Sequence, residues 1–419
     1  MEMPLDNMPL QELSFVSLQG SMLSQQNTVH KRKSRGGLSQ GLESECTPTE
    51  LTQQWSPRPK YQRVASKGKE NEGNHFVLAR RPRKSESASA SISWERLPDE
   101  LLLRIFSCLP LHDLLRASVV CKRWRCLAFD ESLWHSVDLE GLTDAGPALQ
   151  QVLRTGICRL RCPHAFVEEL TLKGIGPLKI VEMDLSNSTL PLSALEDIMD
   201  NCKLLQCLSL EGLQLSDNIM RCLAENPNLL HLNLSTCSKF SAPALADMLN
   251  SCSRIKQLNI SWCSFDNDHV KSIAQNLSPT VTDLNLSGYR DSLTLDDLKV
   301  LVERCPQIQT LDISDSTLLT TDSFCVLKQL QHLQHLSLSR CYRIPLAAVT
   351  ALGKMCPALH LLDIFGLAQD TQLPPLKKEM PQVSINSRPF SSVARPTPAS
   401  KMAAEHTMWN RTCRLRFRL

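Results

Sequence analysis

A few groupings in this chain have residue types and spacings that could do chemistry. Gly37-Leu38-Ser39-Gln40-Gly41 is a formal G-x-S-x-G match. A serine nucleophile elbow needs a strand before it and a helix after it, so that the hydroxyl is held out on a strained turn. The flanking sequence is polar and charged without periodic apolar residues, so no elbow is expected. Cys158, Cys162 and His164 form a C-x3-C-x-H group that could suggest zinc. Four-coordinate zinc wants a second pair of ligands at similar spacing, and the sequence offers none. His231 and His335 recur at equivalent places and read as ordinary strand residues. No glycine-rich turn followed by a phosphate-binding lysine is found. The expectation is a protein without catalytic residues, metal or cofactor, whose work is binding.

The elements that would present a binding surface are repeats. From Trp134 to Leu367 the chain repeats L-x-x-L-x-L-x-x-N/C, with first apolar positions at Trp134, Ile157, Ile180, Leu205, Leu229, Ile255, Val281, Ile308, Leu333 and Leu359. The spacing stays between 23 and 27 residues, a leucine-rich-repeat signature. The units from Trp134 and Ile157 are degenerate. One unit buries little alone, so stacking must build a continuous core and a long row of parallel strands. Amphipathic segments such as 241–249 and 294–302 lie between strands, with Ser241 and Thr294 as N-caps. The fold expected is an α/β solenoid, a horseshoe of about ten repeats.

Composition narrows the class further. The 419 residues are 42% hydrophobic with a net charge of +3, which gives no whole-chain argument for nucleic acid. No apolar run reaches membrane-spanning length, and the start lacks the order of a signal peptide. No membrane or nucleic-acid partner is expected, and the location expected is intracellular. The cysteines number 17. Cys237, Cys263 and Cys341 occupy the N/C position, which points inward. Cys202, Cys252, Cys305 and Cys356 each stand three residues before a repeat's first apolar position. These are small buried hydrophobes of a reducing compartment rather than a disulfide framework.

Residues 1–90 are rich in Ser, Gln, Pro and charge, a composition that cannot offset chain entropy by burial, and they read as a disordered regulatory region. The basic clusters 31–35 and 80–84 could each be a nuclear import signal or a solvated charge run. Ser34, Ser85 and Ser87 beside them could be phosphorylated. Residues 91–140 then change character. A helix opens after Trp94, with Pro98 in its first turn and Leu101, Leu102, Ile105, Phe106 and Leu109 at helical spacing. A second helix carries Leu111, Leu114, Leu115, Ser118 and Val119, and a third runs from Cys121 to Ala128 through Trp124. Three short helices cannot bury so many large apolar groups by themselves, so the surplus implies a docking surface.

Leu97-Pro98-x-Glu100-Leu101-Leu102-x-x-Ile105-Phe106, then Val120-Cys121-Lys122-Arg123-Trp124, Leu127-Ala128 and Leu133-Trp134, resembles an F-box. With the repeats behind it, the chain resembles the F-box/leucine-rich-repeat family. That resemblance implies a module that binds the Skp-type adaptor, and through it the cullin and RING subunits, of an SCF-type ubiquitin ligase. It gives Leu97, Pro98, Leu101, Leu102, Ile105, Phe106, Leu114 and Trp124 as adaptor-binding residues. The function implied is a non-catalytic substrate receptor; a repeat scaffold or inhibitor without a ligase role is the alternative.

Among the repeats at 141–385, the position just before N/C carries Asn187, Gly212, Thr236, Trp262, Gly288, Asp315, Arg340 and Gly366. Trp262 is anomalous on a solvent-facing row, and Trp and Arg are enriched at binding hot spots. Arg290 and Arg340 lie on the same side and could grip carboxylate or phosphate. The motifs MDLSNS, LNISWCSF, LNLSGYR, LDISDS and LSLSRCY resemble one cell-cycle member of the family in detail. In that member the late-repeat rim holds a small Cdk-accessory (Cks) subunit and reads a phosphorylated Kip-type Cdk inhibitor at the G1/S transition. A cyclin–Cdk complex is kept open as a further partner, and nucleus and cytoplasm are the locations implied. By position, Trp262, Arg290, Asp315 and Arg340 become the accessory-subunit and substrate residues. The last stretch, 386–419, is basic and contains Pro389, Pro396 and Pro398, so it is no further repeat. Cys413, Leu415, Phe417 and Leu419 alternate with arginines in the period of a half-buried strand. It is expected to fold back along the concave face and to pack its apolar side on the strand row.

Overall fold

The computed structural model describes residues 94–142, 144–172, 176–386, 393–394, 407–408, 411–413 and 415–416. The expectations placed on residues 1–90, including the G-x-S-x-G match and both basic clusters, lie outside the described residues.

The chain enters through a 3-10 turn at Trp94–Arg96. Three helices come next, α1 (Asp99–Phe106), α2 (Leu111–Ser118) and α3 (Lys122–Ala128). Pro98 stands one place outside α1, at its N-cap, where the extended backbone suits its fixed ring. Cys121 caps α3 with its sulfur, which accepts from the Trp124 amide. Trp134 ties these helices to the repeats. Its ring is fully buried, its Nε1 donates to the Ala128 carbonyl at 2.6 Å, and Phe129 stacks on it at 5.5 Å. The helical module and the first repeat therefore share one core.

The repeats contribute eleven strands in chain order. They are β1 (Ser136–Asp138), β2 (Arg159–Arg161), β3 (Glu182–Asp184), β4 (Cys207–Ser209), β5 (His231–Asn233) and β6 (Gln257–Asn259), then β7 (Asp283–Asn285), β8 (Thr310–Asp312), β9 (His335–Ser337), β10 (Leu361–Asp363) and β11 (Ser384–Asn386). Each pairs in parallel with the next, in unbroken order. Helices fill the crossovers: α4 (Gly146–Leu153) after β1, then α5 (Leu192–Asp200), α6 (Asp217–Ala224), α7 (Ala242–Ser251), α8 (Asn267–Asn276), α9 (Leu295–Arg304), α10 (Ser323–Leu327) and α11 (Leu346–Met355). The crossover from β2 to β3 has no helix among the described residues. Ser216, Ser241, Asp266 and Thr294 cap their helices through side-chain oxygens, and Thr294 forms a reciprocal capping box with Asp297.

The period-two rule decides which way each strand residue points. The central residue of every strand from Val137 in β1 to Leu362 in β10 is fully buried against the helices. Each such side chain contributes about 1.5–3 kcal/mol through burial. Its neighbours face the other side. There the residue ending a strand turns the chain by accepting a backbone bond: Asn233 Oδ1 accepts from the Ser235 amide, and Asn259, Asn285 and Asp312 do the same two residues on. The structure thus has one repeat strand more than the sequence pattern showed, β11, reached through α12 (Leu373–Glu379). Its Val383 and Ile385 are buried, but no leucine opens the unit.

The inward cysteines behave as the register requires. The Cys237, Cys263 and Cys341 thiols donate to the carbonyls of Leu210, Leu234 and Ile313 one repeat earlier, at 3.1, 3.1 and 3.4 Å. The sixteen described cysteines are all unpaired. Cys162 is fully buried, and burial pushes its thiol up to about 12. His164 points outward two residues on, so the two do not converge.

Candidate protein-docking surfaces

The helical module presents an apolar face built by two offset rows of α1. Leu102 and Phe106 point inward and are buried, as is Leu114 of α2. These three, expected to touch a partner, instead hold the helices together; they cannot meet a partner without opening the module. Leu101 and Ile105, one residue earlier at the same spacing, are exposed with Pro98, while Leu97 and Trp124 are half-buried. Trp94, Val119 and Val120 are exposed too, Val119 at 70%. The two valines add exposed apolar area on the same module, beyond the residues assigned to adaptor binding from the sequence. Exposed large apolar groups clustered on one small module mark an interaction surface.

Arg123 organises this face. Its guanidinium donates to Asp99 Oδ1 at 2.8 Å, to the carbonyls of Trp94 and Glu95 at 3.4 and 3.1 Å, and to the carbonyl of Leu97. One side chain of α3 thereby fixes the path of residues 94–99. Trp94 packs edge-on against Trp124, which packs edge-on against Phe106.

The second surface is the rim just past the strand ends. Asn187, Gly212, Thr236, Trp262, Gly288, Asp315, Arg340 and Gly366 all have positive φ, between 55° and 97°. A left-handed conformation costs a residue with a Cβ roughly 1–2 kcal/mol, so glycine would be the cheap choice in every repeat. The conformation is imposed by a second hydrogen-bond ladder. The amides of Trp262, Gly288, Asp315 and Arg340 donate to the carbonyls of Ser287, Ser314, Ser339 and Phe365, each in the following repeat, at 2.7 to 3.0 Å.

Trp262, Arg290, Asp315 and Arg340 come together on this rim. Asp315 is buried, and the Arg340 guanidinium donates to both of its oxygens, from Nε at 2.8 and 2.9 Å and again from Nη2. The same guanidinium lies 6.0 Å from the Trp262 ring centre and 5.6 Å from that of Phe365. The hydrogen bond to Asp315 raises the Arg340 pKa further, so its charge is fixed and already compensated. Arg340 is thus a strut between an acid and two aromatic rings, rather than the open phosphate clamp its type suggested. Arg290 differs: its side chain is 63% exposed, with a long 4.0 Å contact to Asp315. Trp262 stays 43% exposed and Tyr342 lies open beside Gly366. The arrangement is an aromatic platform with a cation at its edge.

Among the described residues, the tail meets the repeats at two places. Val393 and Ala394 are buried, and the Val393 carbonyl accepts from Asn285 Nδ2 of β7 at 3.4 Å. Farther on, β12 (Thr407–Met408) and β13 (Arg411–Thr412) pair with each other in antiparallel fashion. Then β14 (Leu415–Arg416) pairs in parallel with β1, matching Val137 to Leu415 and Asp138 to Arg416. The alternating end was expected to lay its apolar side on the strand row; instead β14 joins the sheet edge as its twelfth strand. Arg416 lies 3.7 Å from Asp138 and 3.5 Å from Glu140. Both acids also meet Arg161 of β2.

Comparison with known proteins assigns both parts. A family model described as F-box-like matches residues 94–140, the helical module. One described as the SKP2 LRR domain matches residues 147–416, well over half the chain and including β14. The chain belongs to the SKP2-type F-box/leucine-rich-repeat family. Relatives include putative F-box/LRR-repeat protein 23 of Arabidopsis thaliana, 25% identical over 230 residues, covering 53% of this chain and 47% of that protein. F-box protein SKIP19 of Arabidopsis thaliana is 24% identical over 268 residues, 64% of this chain and 74% of that protein. The chain thus spans about half the length of the first of these relatives. A solved structure, the Rad7 and Elc1 complex in yeast, aligns with a TM-score of 0.39 at 14% identity, over 70% of this chain and 89% of that one.

Proposed function

We propose that this F-box/LRR protein is the substrate-recognition subunit of an SCF-type cullin-RING ubiquitin ligase, the counterpart of S-phase kinase-associated protein 2. The exposed apolar face of Trp94, Leu101, Ile105, Val119 and Val120 docks the Skp-type adaptor, which brings the cullin and RING subunits. The rim holds a Cks accessory subunit, and together they receive a phosphorylated Kip-type Cdk inhibitor, in nucleus and cytoplasm. The observation that carries this reading is the pairing, on one continuous core, of an unpartnered apolar F-box face with a preorganised Trp262–Arg340–Asp315 cluster. Fixed separation between the two surfaces is what a proximity mechanism needs. The receptor makes no bond itself and raises the effective concentration of target lysines at a ubiquitin-loaded enzyme.

The test compares Trp262→Ala and Arg290→Ala with wild type. Each variant, in complex with adaptor, is assayed for capture of a phosphorylated inhibitor peptide with and without a Cks subunit. Loss of capture of at least tenfold with adaptor binding intact is expected. Capture equal to wild type in both variants would remove the rim from substrate recognition, and failure of wild type to bind adaptor would remove the ligase reading altogether.

A further inference from the structure

The left-handed row carries more information than its exposed side chains. Adjacent strands stand about 4.8 Å apart, so three repeats separate the Trp262 and Arg340 backbones by roughly 14 Å. Their side chains nonetheless meet, with 6.0 Å between guanidinium carbon and ring centre. Trp262 must reach forward along the row and Arg340 backward over Asp315, into the space of the two repeats between. The first of these carries Gly288. A Cβ built on Gly288 would stand 2.7, 2.9 and 3.0 Å from Trp262 Cδ2, Cε3 and Cγ, distances at which the ring has to move. The same relation recurs at Gly366, where a Cβ would lie 3.0 Å from Arg340 Cγ, and at Gly212, where it would strike Asn187.

The loop bearing Gly288 has no freedom to back away. Tyr289 is buried beneath it, its hydroxyl donates to the Ile260 carbonyl, and its ring stacks on Phe265, which stacks in turn on His269. From below, the aromatic stack fixes the backbone; from above, Trp262 lies directly on it. We infer that Gly288 is a positioning residue of the rim site, a seat whose missing side chain lets Trp262 lie flat and meet Arg340. Glycine here serves two needs at once: its φ of +97° and the volume it leaves open. The inference rests on the rim being the accessory-subunit site, but the seating of the ring can be judged without any partner.

The experiment uses full-length chain in complex with adaptor, grown with 5-fluorotryptophan, with the Trp262 fluorine resonance assigned through Trp262→Phe. Gly288→Ala adds only a Cβ. Gly288→Asn fills the same space with the residue that, after glycine, visits positive φ most readily, so it keeps the added volume while lessening the backbone strain. Gly156→Ala imposes the same kind of positive-φ strain off the rim, where its Cβ would meet only the Glu131 side chain. Both Gly288 variants should shift the Trp262 resonance and weaken capture of a Cks subunit at least tenfold, with adaptor binding unchanged. Gly156→Ala should leave the resonance and the capture as in wild type. An unmoved Trp262 resonance in Gly288→Asn, or an equal loss of capture in Gly156→Ala, overturns the assignment. If wild type captures no Cks subunit, the partner reading fails, and the resonance alone decides the seat.

Discussion

Replacing Arg123 with alanine should loosen the proposed adaptor-docking face without unfolding the protein. The guanidinium makes one ion pair with Asp99 and three bonds to carbonyls of residues 94–97. The ion pair is partly exposed, 36% and 56% for the two side chains, so it is worth at most about 1 kcal/mol. The 3.4 Å bond to Trp94 is weak, and the two better carbonyl bonds, to a charged donor but partly solvated, add about 1 kcal/mol together. The total is about 2 kcal/mol, roughly a thirtyfold change in the population of the ordered segment. Since ordering one residue costs about 1–2 kcal/mol of backbone entropy, the loss is enough to free Trp94, Leu97 and Pro98. Titration calorimetry of the purified chain against a Skp-type adaptor should show affinity reduced ten- to thirtyfold. Arg123→Lys should fall between, because an ammonium cannot span the carbonyl set. Affinity within twofold of wild type would refute the argument. So would an equal loss in Tm-derived stability, which would make Arg123 part of the core.

Other outcomes come from burial and charge. Leu101→Ala with Ile105→Ala should abolish adaptor binding while leaving thermal unfolding within a few degrees of wild type, whereas Leu102→Ala should cost about 2–5 kcal/mol of stability, both read by calorimetry. Burial pushes the thiols of Cys202, Cys263, Cys305 and Cys341 up to about 12, so at pH 8 iodoacetamide should label exposed Cys108, Cys126 and Cys325 and spare those four, as mass spectrometry would show. Because the folded state favours the neutral thiol, this contribution to stability is complete below the ordinary thiol range and is lost as pH rises towards 12. Glu140 is held below the usual carboxylate range by its hydrogen bond from Arg161, with Arg416 adding to the effect. Its contribution is therefore present above the ordinary range and lost as pH falls through the depressed value. Hydrogen-exchange protection at residues 415–416, after correction for the pH dependence of intrinsic amide exchange, should fall in acid and in high salt; protection that ignores both would show that backbone pairing alone holds β14.

The horseshoe was legible because its signal is redundant: ten near-copies of one pattern outvote any single degenerate unit. β11 was missed for the same reason in reverse, since Val383 and Ile385 arrive without an opening leucine and a lone unit of two apolar residues carries no period. On α1 the helical spacing showed that both Leu101/Ile105 and Leu102/Phe106 were apolar, but periodicity does not say which row faces neighbours and which faces a partner. The alignment column of Trp262, Gly288 and Arg340 was visible as an oddity of size. Its meaning depended on the sign of φ, and on side chains that run along the row rather than out from it. Arg340 looked like a phosphate receptor because residue type was known and Asp315's burial was not. The terminal alternation did announce a strand, yet nothing local could say that its partner stood at residue 137.

That last pairing has a consequence for how the protein is made. Because synthesis runs from the N-terminus, the outer edge of β1 is complete hundreds of residues before Leu415 and Arg416 exist to cover it. An uncovered sheet edge is a template for other extended chains, and nascent domains otherwise consolidate as they emerge. Among the described residues β14 is the strand that covers this edge, so until it forms they leave the first edge unpaired. A ribosome that stops short of codon 415 would release an otherwise finished horseshoe with that edge still open to strangers.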